Sequence, residues 1–406
     1  MRRHWGNQLK AMATLALLGG LQSPVAPAAL AGAPLPPPLP SAPPSEPPSA
    51  SLTMERLGLW LTTVDSAVMY DAAESQRAVK FLQTHGFKRA AVPLQTGGQV
   101  LWPVRAQNNR LGMPLDPRLP HPMSTDVLIG ALNRSGIETV GWFEFGLMAP
   151  AEAPWLAGRE RLLLRNQAGQ TTWLEGGHLK RVWLNPALAE VRDGLTALVV
   201  DACQHLPLAA IQFDDHLGYP ATFGYDPTTL ALWRSTAAGA RQPTPTPDDP
   251  AWIAWRSGWI TSLVAQIRKA MARSCPGIRL SVAPNPQEFS YSNYLANWGD
   301  WVQRGLVDEV VVQIYRNDPA ALRAELADPT LRQAAAKLPV RIGLLAGLRD
   351  QPKAPARLLL ERQIVQEQGL AGIDLFFYES ARPHFSPPVD GAGEGMPHPL
   401  GDGPRP

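Results

Sequence analysis

The clearest chemical signal in the sequence is a pair of adjacent acids that ends a short apolar run, Ile211-Gln212-Phe213-Asp214-Asp215. The run has the length and composition of a β-strand, in which side chains alternate between the two faces. Gln212 and Asp214 therefore face one side, and Ile211 and Phe213 face the other. A carboxyl group at the end of a buried strand is suited to proton transfer or nucleophilic attack. Asp215 begins the next loop, where we expect it to hydrogen-bond backbone or ligand.

If the acid at this strand end cleaves glycosidic bonds, a second carboxyl group is needed. Cleavage of a glycosidic bond uses two carboxyl groups, ~5 Å apart for retention of configuration and ~6.5–9.5 Å apart for inversion, with one kept protonated. We predict that Asp214 is catalytic together with Glu144 or Glu379. The other acids at predicted strand ends are Asp65 and Glu288.

Polar and aromatic side chains near these acids are candidates for substrate contacts, although each could equally serve only the local backbone. We assign substrate contacts to Asp65, Trp142, Gln212, Asp215, His216, Asn285, Gln313 and Tyr315. The chain holds 13 Trp residues, and sugars stack on aromatic rings. Those on predicted loops or strand ends could form sugar subsites: Trp102, Trp142, Trp173 and Trp183. Trp252, Trp255 and Trp259 have helical spacing, which is more typical of packing.

Two other chemistries are less well supported. Asp214-Asp215-His216 resembles the start of a metal-dependent polysaccharide deacetylase motif, but such sites need two His on one helical face. No two of the eight His are three or four residues apart. We therefore assign no metal ligand and no cofactor. A Gly-x-Ser-x-Gly elbow for a nucleophilic serine is also absent from the sequence.

The sequence predicts alternating strands and helices around these residues. This alternation is typical of βα units. Eight strands are predicted, at residues 57–63, 88–94, 137–143, 208–214, 278–284, 308–314, 340–346 and 373–378. Amphipathic helices are predicted at residues 75–85, 187–204, 252–272, 320–337 and 355–368. Eight strands favour a single-domain (β/α)8 TIM barrel of the α/β class. An open doubly wound sheet is less favoured, because no Gly-x-Gly-x-x-Gly loop follows the first strand.

In a barrel the catalytic residues lie at the C-terminal ends of the strands. Two connections there are long, residues 144–186 after the third strand and 215–251 after the fourth, and we expect them to build the substrate cleft. The seventh strand ends in Leu344-Leu345-Ala346-Gly347 and offers no acid. This excludes the common arrangement with an acid on strand four and a nucleophile on strand seven.

The two ends of the chain differ in composition from the barrel at residues 54–381. Residues 1–31 have a basic start, an apolar stretch and a small-x-small site, Ala29-Leu30-Ala31, and are predicted to be a signal peptide. Residues 32–53 are predicted to be a Pro-rich linker, and residues 382–406 a disordered tail rich in Pro and Gly. The protein is expected to be extracytoplasmic, periplasmic or secreted, with no membrane span after signal cleavage; an uncleaved anchor is the alternative.

The net charge bears on the class of binding partner, and the cysteine content bears on disulfide formation. With 37 Lys and Arg against 35 Asp and Glu the formal charge is +2, and no long basic run suggests nucleic acid. The expected partner is a polysaccharide or oligosaccharide; the oligomeric state is not predicted. Cys203 and Cys275 leave one disulfide or two buried thiols open, and we slightly favour thiols.

Five motifs together resemble the glycosyl-hydrolase-like family 10, a set of exported bacterial barrel proteins. They are Gly58-Leu59-Trp60-Leu61-Thr62-Thr63-Val64-Asp65-Ser66, Ile211-Gln212-Phe213-Asp214-Asp215-His216, Ser281-Val282-Ala283-Pro284-Asn285-Pro286, Val312-Gln313-Ile314-Tyr315-Arg316 and Phe376-Phe377-Tyr378-Glu379-Ser380. Their order and spacing match over about residues 55 to 380. The resemblance implies a barrel that hydrolyses glycans, bacterial cell-wall glycan among them. His216 stands where relatives often have Tyr.

The main functional alternative is a barrel that binds or scaffolds glycans without cleaving them, because the seventh strand supplies no acid. A metal-dependent polysaccharide deacetylase is a third class.

Overall fold

A computed structural model describes residues 57–316, 318–348 and 351–385. The predicted signal peptide, linker and most of the predicted tail lie outside these residues. In the described part of the chain, no helix is both long and apolar enough to cross a membrane.

Eight parallel strands form a closed barrel, which confirms the predicted fold class. They are β1 (Leu57–Trp60), β2 (Arg89–Thr96), β3 (Glu138–Phe143), β4 (Ala210–Asp214), β5 (Arg279–Ala283), β6 (Glu309–Gln313), β7 (Val340–Leu345) and β8 (Gly372–Phe376). Each pairs with its neighbours in chain order, and β8 pairs with β1 through Leu57 and Ile373 to close the cylinder. The C-terminal ends of all eight strands therefore meet at one rim.

Helices cover the outside of the barrel. In chain order they are α1 (Ala72–Thr84), α2 (Ser124–Arg134), α3 (Ala189–His205), α4 (Pro227–Arg234), α5 (Ala237–Arg241), α6 (Pro250–Ser274), α7 (Gln287–Tyr294), α8 (Trp298–Gln303), α9 (Pro319–Leu326), α10 (Pro329–Ala335), α11 (Pro355–Gln366) and α12 (Tyr378–Ala381). The single helix predicted at residues 320–337 is wrong. It divides at Asp328, whose side chain caps α10, because Pro329 has no N–H to continue α9.

The two long connections at the C-terminal rim carry secondary structure of their own. Residues 144–186 hold a three-stranded antiparallel sheet of Met148–Pro150, Trp173–Glu175 and Leu179–Trp183, which we call the rim sheet. The connection after β4 begins with a 3-10 turn at Asp215–Leu217 and continues through α4 and α5. Both connections lie where the cleft was predicted.

Charged side chains fill the opposite, N-terminal end of the barrel interior. Arg89 on β2 forms ion pairs with three carboxylates, those of Glu138 (2.7 Å), Asp374 (3.4 Å) and Glu309. Arg341 on β7 pairs with Asp374 at 2.5 Å. Because a buried charge is tolerated only when it is paired, this network, the barrel floor, closes the interior at that end.

The remaining differences concern the cysteines and the tail. Cys203 at the end of α3 and Cys275 after α6 form a disulfide, contrary to the thiols that we slightly favoured. Ordered structure also extends past residue 381: Arg382–His384 forms a 3-10 helix, and the Phe385 ring lies 5.1 Å from that of Phe87. The predicted boundary of the tail is therefore four residues too early.

Candidate active site

Asp214 ends β4 with its side chain inside the barrel, as the alternation of side chains predicts. Ile211 and Phe213 pack in the outer core between strands and helices. The Oδ1 atom of Asp214 accepts a hydrogen bond from the backbone N–H of Asp215 at 2.8 Å and another from the side-chain amide of Gln313. Gln313 also donates to the carbonyl oxygen of Ala283 at 2.6 Å. The carboxyl group is thus held in one position by neighbouring strand ends.

The surroundings of Asp214 favour its protonated form. Only 5% of the residue is exposed, and burial raises the pKa of its carboxyl group well above the usual range. The nearby negative charges of Asp215 and Glu144 raise it further, against the opposing effect of His216. A carboxyl group that keeps its proton near neutral pH can act as a general acid.

Glu144 follows β3, the neighbour of β4, and is 2% exposed. Its Oε2 atom has no hydrogen-bond partner in the described part of the chain. Burial raises the pKa of Glu144 to about 6, although the Thr96 hydroxyl, His216 and Arg181 act to lower it. A group with this pKa is ionised at neutral pH, where it can serve as a base or nucleophile beside a protonated acid.

Asp215 and Asn285 connect the ends of β4 and β5. The side-chain amide of Asn285 donates to Oδ2 of Asp215 at 2.7 Å, and Asn285 itself is 3% exposed. This hydrogen bond holds Asp215 toward β5, while one of its carboxylate oxygens lies within 4.8 Å of a carboxylate oxygen of Asp214.

His216 is enclosed by acceptors. Its Nδ1 atom lies 3.1 Å from the carbonyl oxygen of Glu144 and 3.4 Å from Oδ1 of Asp215, and its Nε2 atom lies 3.6 Å from Oε1 of Glu175. Burial by itself lowers the pKa of His216, but the charges of Asp215, Glu175 and Asp214 outweigh it and raise the pKa to about 10. The ring is therefore an imidazolium that fixes the loops after β3 and β4 to each other.

Glu175 and Arg181 belong to this site and were missed by the sequence reasoning. They lie in the rim sheet, 2% and 4% exposed, and Arg181 donates to Oε2 of Glu175 at 2.7 Å. The signal that could have located them is Gly176-Gly177, because two glycines between apolar runs indicate a hairpin. That pattern predicts the hairpin but not its contact with His216.

Tyr315 follows β6 and is 4% exposed, and its hydroxyl group has no partner in the described part of the chain. Burial, with the charges of Asp214 and Asp215, raises the pKa of Tyr315 well above the usual range. The neutral hydroxyl is therefore available to donate to a group bound near the two acids.

Glu379 and Asp65 lie together at a different place on the rim, between the ends of β8 and β1. They line a cavity of about 330 Å³ with Leu348, Pro352 and Phe377. Burial raises the pKa of Glu379 to about 7, and the charged neighbours that influence it are Arg382, Glu74 and Asp65. Of the two predicted partners for Asp214, Glu144 is thus the one whose charge acts on it.

Two residues that were predicted to contact substrate, Trp142 and Gln212, lie inside the barrel and not at its rim. Trp142 has no exposed surface and packs edge-on against Phe376, with ring centroids 6.3 Å apart. Gln212 is also fully buried, accepting from Trp60 at 3.0 Å and donating to Ser281 at 3.1 Å. The inward direction of Gln212 was predicted correctly, but both residues lie below the rim and form packing contacts rather than substrate contacts.

The other tryptophans divide in the same way. Trp102 and Trp183 are buried, whereas Trp173 is half-buried on the rim sheet. Trp252 is fully buried and stacks on Trp255 at 5.3 Å, as expected of residues at helical spacing. Glu288 is exposed on α7 and bonds to Ser292 at 2.6 Å.

One group of side chains has the composition of a cation site. Asp214, Asp215 and His216 each offer one potential ligand atom, and these atoms lie within 4.8 Å of one another. Metal binding would require His216 to lose the proton that its carboxylate neighbours stabilise.

A closed eight-stranded parallel barrel with buried acids at its C-terminal rim defines a TIM barrel whose rim has the features of an enzyme site. The model of the family "Glycosyl hydrolase-like 10" matches residues 55–362, and the chain belongs to this family. The family resemblance proposed from the five sequence motifs is thereby confirmed.

Similarity to individual proteins is more distant. The chain is 23% identical over 152 residues to the glycosyl hydrolase DigH of Escherichia coli strain K12, a match that covers 33% of this chain and 32% of that relative. The glycoside hydrolase domain of PgaB (BpsB) from Bordetella bronchiseptica superposes with a TM-score of 0.61 at 12% identity, over 82% of this chain and 96% of that one. For α-L-fucosidase isoenzyme 2 from Paenibacillus thiaminolyticus the TM-score is 0.56 at 13% identity, with 79% and 45% covered. These structures support the fold.

Proposed function

We propose that the protein is an exported glycoside hydrolase that uses Asp214 and Glu144 as its carboxyl pair. The observation that carries the proposal is the placement of two buried acids on adjacent strand ends, where the charge of Glu144 helps Asp214 to keep its proton. Two such groups in differing protonation states are what glycosidic cleavage requires.

In the proposed reaction Asp214 donates its proton to the glycosidic oxygen as the C–O bond breaks. The Glu144 carboxylate then either removes a proton from the attacking water or itself bonds to the anomeric carbon, depending on whether configuration is inverted or retained. Gln313 positions the Asp214 carboxyl group, and the Tyr315 hydroxyl is available to a sugar oxygen. After inversion, Asp214 regains a proton from solvent and Glu144 releases the proton that it took from water. In the retaining case, ionised Asp214 takes a proton from a second water, which displaces Glu144 from the anomeric carbon and restores both groups.

The proposed substrate is a polysaccharide, with bacterial cell-wall glycan as the first choice. Membership of the family and the similarity to a protein named as a glycosyl hydrolase support this choice. The proposed location outside the cytoplasm rests on the sequence of residues 1–31 alone.

The test is the release of new reducing ends from cell-wall glycan strands, α- and β-glucans and exopolysaccharides by residues 32–406. We expect Asp214→Asn to lower turnover by a factor of 10² or more, since general acid catalysis contributes ~10²–10⁴. The matched control is Asp300→Asn, which alters an exposed acid on α8 paired with Arg304 and should leave turnover unchanged. Unchanged turnover in Asp214→Asn would refute the assignment; binding without any product would favour the non-catalytic barrel.

A metal-dependent reaction is a second candidate, because Asp214, Asp215 and His216 are close enough to share a cation. Loss of activity on treatment with EDTA, restored by a divalent metal, would select it. Activity that is insensitive to EDTA and dependent on Asp214 would select the carboxyl pair.

A further inference from the structure

An open groove lies on the rim sheet, next to the site of the two acids. It has a volume of about 990 Å³, and it is formed by the connection after β3 together with Thr222 and Phe223 from the connection after β4. Trp173 lines it, and none of the residues assigned to catalysis does. The proposed chemistry therefore does not use the groove.

The lining of the groove has the chemistry of a carbohydrate site. Trp173 is half-buried and rests on the ring of Phe223, with centroids 6.4 Å apart and planes at 63°. The hydroxyl residues Thr171, Thr172 and Thr222 and the amide of Gln170 surround it. Aromatic rings offer an apolar face to sugar C–H groups, while amides and hydroxyls suit sugar hydroxyls.

The charges on the groove lining also favour a carbohydrate ligand. Glu160 and Arg165 are the charged residues on its lining, one of each sign. A groove for nucleic acid or another polyanion would need an excess of basic side chains. A groove with one acidic and one basic residue suits a neutral ligand, and most sugar units are neutral.

Two buried side chains, Glu175 and His216, link the groove to the candidate active site. Trp173 and Glu175 lie two residues apart on one strand, so their side chains leave the same face roughly 7 Å apart. Glu175 contacts His216 at 3.6 Å. On the other side, a β-bridge joins Asn166 to Phe223 and links the two long connections. The strand that carries Trp173 thus contacts the loop that follows Asp214.

We propose that this groove binds sugar units of a polysaccharide at a distance from the bond that is cleaved, with Trp173 as the stacking platform. The inference rests on the proposed function and specifies its substrate as a long chain rather than a short oligosaccharide. Contacts on remote units add affinity for a chain long enough to reach both places.

The experiment measures binding without turnover, in the Asp214→Asn background, by affinity electrophoresis and calorimetry. The probes are peptide-free bacterial cell-wall glycan strands and a neutral β-glucan, each as long chains and as fragments of two or three sugars. We expect Trp173→Ala to weaken binding of long chains about tenfold, Trp173→Phe to retain most of the affinity, and short fragments to bind all variants equally.

The matched control is Trp255→Ala, which removes an indole of similar burial from α6 that does not line the groove. It should leave the affinity for long chains unchanged, and circular dichroism reports whether each variant is folded. Binding that depends on Trp173 would support the proposal that the groove holds sugar units, even if the parent protein releases no product. The absence of product would refute only the proposed hydrolysis. The proposed role of the groove would be overturned if the Trp173→Ala variant and its parent bound long chains with equal affinity, or if neither bound them.

Discussion

Asp214 and Glu144 are carboxyl groups at adjacent strand ends, yet their surroundings give them different tasks. Asp214 is buried beside two other acids, which favours its protonated form. Glu144 is equally buried, but Thr96, His216 and Arg181 favour its charge and hold the rise in its pKa to about 6. Differences in local charge, rather than residue type, therefore divide the proposed roles of acid and base.

This division predicts the pH dependence of hydrolysis. A carboxyl group that acts as base must be ionised, so kcat/KM should rise with pH through about 6, as Glu144 loses its proton. It should fall at higher pH, where Asp214 loses its proton. Glu144→Gln should remove the rising limb and lower kcat by ~10²–10⁴.

The control for this profile is Glu288→Gln, since Glu288 is exposed on α7 and should not affect either limb. A rising limb near pH 4, or one that persists in the Glu144→Gln variant, would contradict the role given to Glu144.

Single residues were predictable from the sequence only to the extent that strand alternation determines direction. It placed Asp214 inside the barrel correctly. The same rule predicted that Gln212 faces inward, but it carries no information on depth, and Gln212 is packed below the rim, as is Trp142. Glu175 could not be found, because its contact with His216 joins residues 41 positions apart through a hairpin whose docking no local pattern specifies.

At the scale of elements, the strands were predicted within a few residues because each is a short apolar run between turns. The connections were harder: the rim sheet and α4 and α5 lie in segments without clear periodicity. The rim sheet nevertheless helps to position the site, because its Glu175 contacts His216. The loop after β4 is fixed by the backbone N–H of Tyr219, which donates to the carbonyl oxygen of Tyr294 at 3.0 Å.

Gly218 permits this contact between the β4 loop and the end of α7. A Cβ atom at Gly218 would lie 2.5 Å from the carbonyl oxygen of Tyr294, and backbone cannot move aside cheaply. We expect Gly218→Ala to displace the loop that carries Asp215 and His216, lowering stability by ~1–3 kcal/mol and reducing kcat. Thermal denaturation and the hydrolysis assay measure the two effects.

Gly258→Ala on α6 is the comparison, because nothing lies within 4 Å of its added Cβ. Alanine favours a helix over glycine, so this variant should be as stable as the parent or slightly more so. A Gly218→Ala variant with the stability and turnover of the parent would show that the loop has more room than its contacts indicate.

At the scale of the whole molecule, the alternation of eight strands with helices was sufficient to predict the barrel. Closure depends on long-range pairing between β1 and β8, and the charged floor depends on residues from five strands. Neither leaves a local pattern, because Arg89 and Glu309 are 220 positions apart in the sequence. The floor therefore became visible only in the structure.

The floor should contribute strongly to stability. Arg89→Met would leave Glu138, Glu309 and Asp374 without their common cation, and breaking a buried ion pair costs ~3–5 kcal/mol. Urea denaturation should show this loss as a lower midpoint. Arg77→Met is the matched control: Arg77 is exposed, and Glu74 keeps its ion pair with Arg382, so the midpoint should not move measurably. Equal midpoints for both variants would mean that the floor does not depend on Arg89.

The disulfide between Cys203 and Cys275 encloses a segment of 72 positions that contains all of β4 and the residues from Asp214 to His216. The exposed stretch at residues 241–244 lies inside this covalent ring. A protease that cuts once there would open the ring without releasing either part of the chain. The cleaved protein would run as one band on a denaturing gel without reducing agent and as two bands with it, and the strand that bears Asp214 would stay tethered to the rest of the barrel.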